Sequence, residues 1–273
     1  SLRRSWTARR WAVAPAIGLA ENADLLAVCS RDMGRAEEFA RKHGARAAYA
    51  SVEEVLNDPR VDAVYVASPN HLHAPYTEMA AKAGKHVLVE KPMVLSVAEG
   101  VEMVRNCKAR GVKLGVGFQL RLHPGRVEAK RLIASGTMGT VALAQSHFGR
   151  GTRGVVRPPL RSGLSEWWEQ PEMTGGALTM MGQGVHCIDD LHFMLGQQVV
   201  EVAAITDGQT PEKPLEHLAT MCLRFSGGAI GMMCCGGRMP DFKNEVAIYG
   251  SDGKIVLTDA YPPRLQGELQ VTS

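Results

Sequence analysis

Three short stretches carry side chains whose types and spacing suit chemistry. In Val66-Ala-Ser-Pro-Asn-His-Leu-His73, the residues Ser68, Pro69, Asn70 and His73 follow directly on an apolar run. Ligands of open parallel sheets bind in the crevice beyond the carboxyl ends of the strands. The same residues also suit a plain turn and helix cap, since Ser or Asn accepts orphan amide hydrogens and Pro ends a strand. In His86-Val-Leu-Val-Glu-Lys-Pro92 a strand pattern ends in an acid, a base and a proline. Burying Glu90 and Lys91 is costly unless they pair or meet a ligand, and a surface ion pair ahead of a turn is the plainer account. Pro92 fixes the chain direction so that Lys91 is aimed, and an X-Pro bond here can be cis. In Gly175–Asp190, His186 lies four residues after Gly182 and three before Asp189. On a helix those positions share a face, so Asp189 is placed to orient the imidazole. Glycines beside it would let a substrate approach closely. A structural histidine is the competing reading.

The elements that must position these residues change character near residue 118. Before it, strand patterns at 25–30, 46–50, 63–68, 86–90 and 112–118 alternate with helical ones at 33–43, 51–58, 74–84 and 96–110. Continuous apolar runs such as Ala63-Val-Tyr-Val-Ala67 suit strands buried on both faces, and the alternation predicts a parallel, doubly wound sheet. After residue 119 a helix is expected over 124–135, a strand at 140–148, a Gly/Pro/Arg-rich loop over 149–164 and a helix over 175–195. Strands are expected at 199–206, 217–226, 229–235, 244–250 and 254–258. Asp252-Gly253 is a hairpin signal. This half reads as an α+β domain with an antiparallel sheet. Its apolar face, with Met232, Met233 and Val246, is expected to bury itself against another copy, giving a homodimer or homotetramer.

The chain has 273 residues, 45% hydrophobic and 22% charged, with a formal net charge of +3. That is globular composition for two domains. The balance lacks the basic runs of nucleic-acid or membrane binders. The cysteines at 29, 107, 187, 222, 234 and 235 form no C-x-x-C pair. They read as reduced, buried thiols of a cytoplasmic protein, and no metal site is expected.

Taken in order, Ser-Pro-Asn-x-x-His, Glu-Lys-Pro and the Gly-Gly…Gly-x-His-x-x-Asp helix resemble the Gfo/Idh/MocA family of NAD(P)-dependent oxidoreductases. Val28–Asp32, Gly117-Phe-Gln-Leu-Arg121, Ser135–Gly139 and Ile248–Gly253 extend the likeness over residues 9 to 258. The resemblance implies a Rossmann-type dinucleotide-binding domain over 1–118 and a substrate-binding and oligomerisation domain over 119–273, the latter with an open-faced antiparallel sheet. It implies hydride exchange between NAD(P) and a sugar or polyol carbinol or keto carbon. Lys91 falls on the family lysine that polarises the substrate hydroxyl and His186 on the histidine that shuttles its proton. Such a pair suits the chemistry, since an imidazole takes the proton while an ammonium steadies the developing alkoxide. The expected cofactor-binding residues are Ser30, Arg31, Ser68, Pro69, Asn70, His73, Glu90, Lys91 and Pro92. Those expected to meet substrate are Lys91, Gln119, Arg121, Gln183 and Asp189. Ser30 and Arg31 at the end of the second family strand, with no acid at its tip, favour NADP, while Asp32 leaves NAD open.

The sequence departs from the family at its beginning. The family opens with a strand running into G-x-G-x-x-[GA], whereas no glycine precedes Gly18 here and residues 8–20 already match the first helix. Arg3, Arg4, Arg9 and Arg10 precede the first acid, Glu21, a bias that fits an amphipathic targeting segment only weakly; the favoured expectation is a helix that begins abruptly because the chain is truncated there. The doubly wound sheet is therefore expected to be incomplete, and a non-catalytic binding, regulatory or inert relative is the alternative function. Gly182 stands where many members carry Asp, and Trp168 where an Arg is common.

Overall fold

The computed structural model describes residues 13–155, 159–261 and 267–272. They fall into two compact units. One comprises the residues up to 117 together with 162–167, the other 118–161 and the residues from 168 onward. Arg3, Arg4, Arg9, Arg10 and Arg157 lie outside the described residues.

In the first unit helix α1 runs through residues 13–19. There follow β1 (Ala27–Cys29), α2 (Met33–His43), β2 (Ala47–Tyr49), α3 (Val52–Asn57), β3 (Ala63–Val66), α4 (His73–Lys82), β4 (His86–Val89), α5 (Val97–Ala109) and β5 (Leu114–Val116). The helices start where side chains satisfy their free amides. Asp32 accepts from Arg35 N, and Ser51 and Ser96 form capping boxes with Glu54 and Glu99. All strand pairs are parallel, but they form two separate sheets, β1–β2 and β3–β4–β5. Among the described residues no strand joins them. The expectation of strands buried on both faces fails in β4. Val87 and Val89 are buried against Ala80 of α4 and Met103 of α5, while Leu88, pointing the other way, is 44% exposed. A strand covered on one face alternates in burial however apolar its sequence.

The second unit begins with a short 3-10 turn (Gln119–Leu122), then α6 (Pro124–Ala134), β6 (Val141–Gly149) and α7 (Pro171–Thr174). A π-helical turn (Met180–Gly184) leads directly into α8 (Val185–Leu195). Strands β7 (Val199–Thr206), β8 (Leu218–Phe225), β9 (Ile230–Gly236), β10 (Val246–Gly250), β11 (Lys254–Leu257) and β12 (Leu269–Thr272) complete it. The seven strands form one sheet in the order β12-β11-β10-β6-β9-β8-β7. The sheet is mixed rather than antiparallel throughout, because its central pair β6–β9 is parallel. The final strand β12 was not expected, its apolar/polar alternation Leu-Gln-Val-Thr being only four residues long. The helices pack on one face, where Cys187, Leu191 and Met194 of α8 meet Ala144, Met233, Ile248 and Leu257.

The opposite face exposes Ile205, Met232 and Tyr249, while Val202, also exposed, stands opposite the buried Leu223 on the helix-covered side at the edge of the sheet. Met233 and Val246, expected on the face of Met232, are each 1% exposed and lie in the core. Successive strand residues alternate sides, so Met232 and Met233 cannot share a face. The six cysteines form no disulfide among the described residues, but Cys29 and Cys222 are exposed rather than buried. Cys222 is paired with Met232 across the outward face, and Cys29 ends a three-residue strand. Among the described residues no helix is long and apolar enough to cross a membrane.

Candidate active site

In the first unit β3 and β4 run side by side with Val66 opposite Val89, which brings the two chemistry-bearing loops together at their carboxyl ends. Glu90 N donates to Val66 O at 2.9 Å. Glu90 receives the Tyr65 hydroxyl on one carboxylate oxygen and the Lys91 backbone N–H, at 3.2 Å, on the other. The Lys91–Pro92 peptide is cis, and the Lys91 side chain is 3% exposed. Asn70 opens the short turn ahead of α4 and is 3% exposed, and its Nδ2 has no partner among the described residues. A buried amide donor left unpaired is costly and needs an explanation.

His73, expected to face the cofactor, has both ring nitrogens against backbone carbonyls. It is 1% exposed, with Nδ1 2.7 Å from Pro92 O and Nε2 3.1 Å from Ser68 O. The ring fastens the Ser68–Asn70 loop to the Lys91–Pro92 loop. A neutral imidazole can donate to only one of these carbonyls, and burial, the dominant effect, still pulls its pKa below 6.5. Ser68 Oγ donates to Pro69 O at 3.3 Å. At the tip of β1, Arg31 is exposed, and Asp32 spends Oδ1 on the N–H of Arg35 at 2.9 Å.

In the second unit His186 stands one residue into α8 and is 3% exposed. Phe118 meets it edge-on with ring centres 6.2 Å apart, and Phe148 lies at the same separation, tilted. Asp189, expected to orient this ring, turns both carboxylate oxygens to Arg121, whose Nε approaches them at 3.1 and 2.9 Å. Arg121 also lies over the rings of Phe118 and Phe193. Gln183 donates from Nε2 to Phe148 O at 3.0 Å, and Gln119 is exposed. The glycines near His186 have separate reasons. A Cβ on Gly184 would stand 2.7 Å from Met180 Sδ and 3.2 Å from Cys235 Sγ, so packing demands that residue, whereas Gly182 faces the Trp168 ring at 3.9 Å. Of the loop arginines, Arg153 pairs with Asp241 at 2.6 Å, Arg161 lies over Trp168, and Arg150 over Phe148.

Two features beside His186 escaped the sequence reading. Arg126 and Asp190, both fully buried, form two parallel bonds of 2.7 and 2.8 Å, and Arg126 also donates to Ala260 O. The Tyr261 hydroxyl donates to Asp190 at 2.5 Å, and the Tyr261 ring stacks on Phe148 at 4.5 Å. Burial pushes the Asp190 pKa up, opposed by the Arg126 and Tyr261 bonds, and burial pushes the neighbouring Cys187 thiol up to about 12. Second, the buried Glu216 carboxylate accepts the backbone N–H groups of Leu178 and Met180. No local spacing betrays either, because the partners are 36 to 134 residues apart. Among the described residues no three His, Cys, Asp or Glu side chains gather to hold a metal ion.

The profile of the GFO/IDH/MocA oxidoreductase family with its NAD-binding Rossmann fold matches residues 9–118, and that of the GFO/IDH/MocA C-terminal domain matches residues 127–256. An oxidoreductase of Rhizobium meliloti is 31% identical over 92% of this chain and 71% of its own length. The chain therefore belongs to the Gfo/Idh/MocA oxidoreductase family. A trans-1,2-dihydrobenzene-1,2-diol dehydrogenase of Sus scrofa is 31% identical over 86% of the chain, which spans 66% of that relative. Among solved structures, the aldose-aldose oxidoreductase of Caulobacter crescentus, crystallised with glycerol, superposes with a TM-score of 0.83 at 25% identity, over 96% of this chain and 76% of that one.

Proposed function

We propose that this chain is an NAD(P)-dependent oxidoreductase that moves a hydride between the nicotinamide and a carbinol or keto carbon of a sugar, polyol or cyclic diol. The observation that carries the reading is Lys91, a lysine 3% exposed at the carboxyl end of β4 in a family domain that binds NAD. Asn70 supports the fit to that cofactor, since its buried, unpartnered amide is a donor that a bound nucleotide would satisfy. When bound, the nicotinamide supplies the hydride acceptor or donor. Lys91 holds the substrate oxygen and steadies the charge that grows on it. His186 takes up or returns the hydroxyl proton. Ser68, Pro69, Glu90 and Pro92 shape the cofactor loops, His73 ties them together, and Gln119, Arg121, Gln183 and Asp189 face substrate, Arg121 and Asp189 as a pair. Ser30 and Arg31, with Asp32 committed to capping α2, favour NADP, because an arginine holds a 2′-phosphate and a free acid would hold a 2′-hydroxyl.

The test is calorimetry with NADPH and NADH, followed by turnover of trans-1,2-dihydrobenzene-1,2-diol and D-glucose with NADP+ and NAD+. Binding of both cofactors, tighter for NADPH, and reduction of NADP+ are expected. No heat with either cofactor would overturn the reading in favour of a non-catalytic binding or regulatory relative. That second reading draws on the separation of β1–β2 from β3–β4–β5. The proposed setting is the cytoplasm, as a homodimer or homotetramer joined through the sheet face of Ile205, Met232 and Tyr249. Light scattering should show the assembly, and Ile205→Asp should reduce it to a single chain.

A further inference from the structure

The helix that carries His186 is fixed at two places by buried charge. Downstream, Asp190 is held by Arg126 and Tyr261. Upstream, Glu216, 1% exposed on the segment leading into β8, accepts Leu178 N at 2.9 Å and Met180 N at 2.7 Å. Among the described residues no Lys, Arg or His pairs with this carboxylate. Its bonds go to the free amides at the start of the helix, where the helix dipole also favours a negative charge. Gln209, earlier on the same segment, donates to Gly176 O at 2.8 Å, so the β7–β8 connection grips residues 176–180 from one side.

Between the two fixed points lies the π-helical turn Met180–Gly184. A π turn holds one residue more than an α turn, and such turns are uncommon outside sites of function. Each residue advances an α-helix by about 100°. If the extra residue were lost, everything upstream of α8 would swing about the axis by that amount, since Asp189 and Asp190 keep α8 itself in place. Gln183 would then leave Phe148 O, and the wall around His186 would change.

We propose that Glu216 is a positioning residue: by holding the amides of Leu178 and Met180 it maintains the π turn and so sets the placement of Gln183 and the surroundings of His186. The inference rests on the role given to His186 above. It accounts for an acid that is buried without a cation, and for a carboxylate rather than an amide at that position. Glutamine would keep one acceptor and turn an NH2 group toward the second N–H.

The test is Glu216→Gln in the full chain, read in two ways. The first is the histidine side-chain nitrogen spectrum, with His186 assigned by loss of its signals in His186→Asn. The His186 titration midpoint and tautomer ratio should move in the Glu216→Gln chain while the side-chain nitrogen shifts of His43, which belongs to the other unit, stay unchanged. The second is steady-state kinetics, where kcat should fall about tenfold to a hundredfold, the scale of a misplaced group, with KM for NADPH unchanged. If the His186 signals and kcat both match those of the unsubstituted protein, Glu216 is only a structural cap and the inference is overturned. If the unsubstituted protein shows no turnover, the oxidoreductase reading fails, yet the His186 signals still decide the role of Glu216. Should Glu216→Gln not fold, Glu216→Asp, which keeps the charge and shortens the reach, is measured in the same way, and an unmoved His186 there counts against the inference.

Discussion

Lys91 and Asn70 follow strands of four residues, in a unit whose described strands form two separate sheets. His186 rides an eleven-residue helix packed on a seven-stranded sheet and fastened by the carboxylates of Asp189, Asp190 and Glu216. In the first unit, the His73 ring ties the loops together through two backbone carbonyls, and the buried Asn70 amide has no partner among the described residues. In the second, charged side chains satisfy one another and the site residue is placed by what surrounds it. Under the proposed function, the first unit would present Lys91 and Asn70 to the cofactor and the second would hold His186 on a rigid mount.

The comparison can be broken most severely at Lys91. Replacing it with Met, which keeps the apolar stem, should lower turnover about 10²–10⁴-fold while the urea midpoint shifts little. Equal turnover would make the lysine structural and erase the contrast. Next in size is Arg126→Met, which leaves Asp190 buried with only Tyr261 and should cost about 3–5 kcal/mol of stability in urea unfolding. A loss below about 1 kcal/mol would mean that the network does not hold α8. The smallest effect concerns pH. His73 has a folded pKa below its ordinary 6.5, so the unfolded chain binds the proton first as pH falls. Its contribution to stability is intact above about 6.5 and is lost as pH drops toward the folded value. His73→Gln should flatten that part of the stability profile, and an unchanged slope would show that the two carbonyls do not depend on a neutral ring.

Much of this was legible from residue order. The alternation of strand and helix before residue 118 has a period that burial imposes, and caps such as Ser51 with Glu54 are written within four residues. The Ser-Pro-Asn and Glu-Lys-Pro stretches each follow a strand, so their adjacency followed once β3 and β4 were known to be parallel neighbours. What stayed hidden depends on partners remote in the chain. Asp189 looked like the orienter of His186 because helical spacing sees only its own helix, whereas Arg121 takes both its oxygens. Glu216 carried no local sign, since its partners are two main-chain amides. Met233 and Val246 were misplaced because an apolar run does not say which of its residues faces in.

The parallel pairing of β6 with β9 has a consequence for how the molecule forms. Antiparallel neighbours such as β8 and β9 can close as a hairpin, but two parallel strands must wait for a crossover. Here the crossover is residues 150–229, and it contains the π turn, α8 and Glu216. Nascent chain must lay down the histidine-bearing helix before the middle of the sheet can zip shut, and long-range closure of this kind is slow. A chain that pairs its central strands thus closes the loop that carries its imidazole, while Arg126 from before that loop and Tyr261 from after it complete the grip on Asp190.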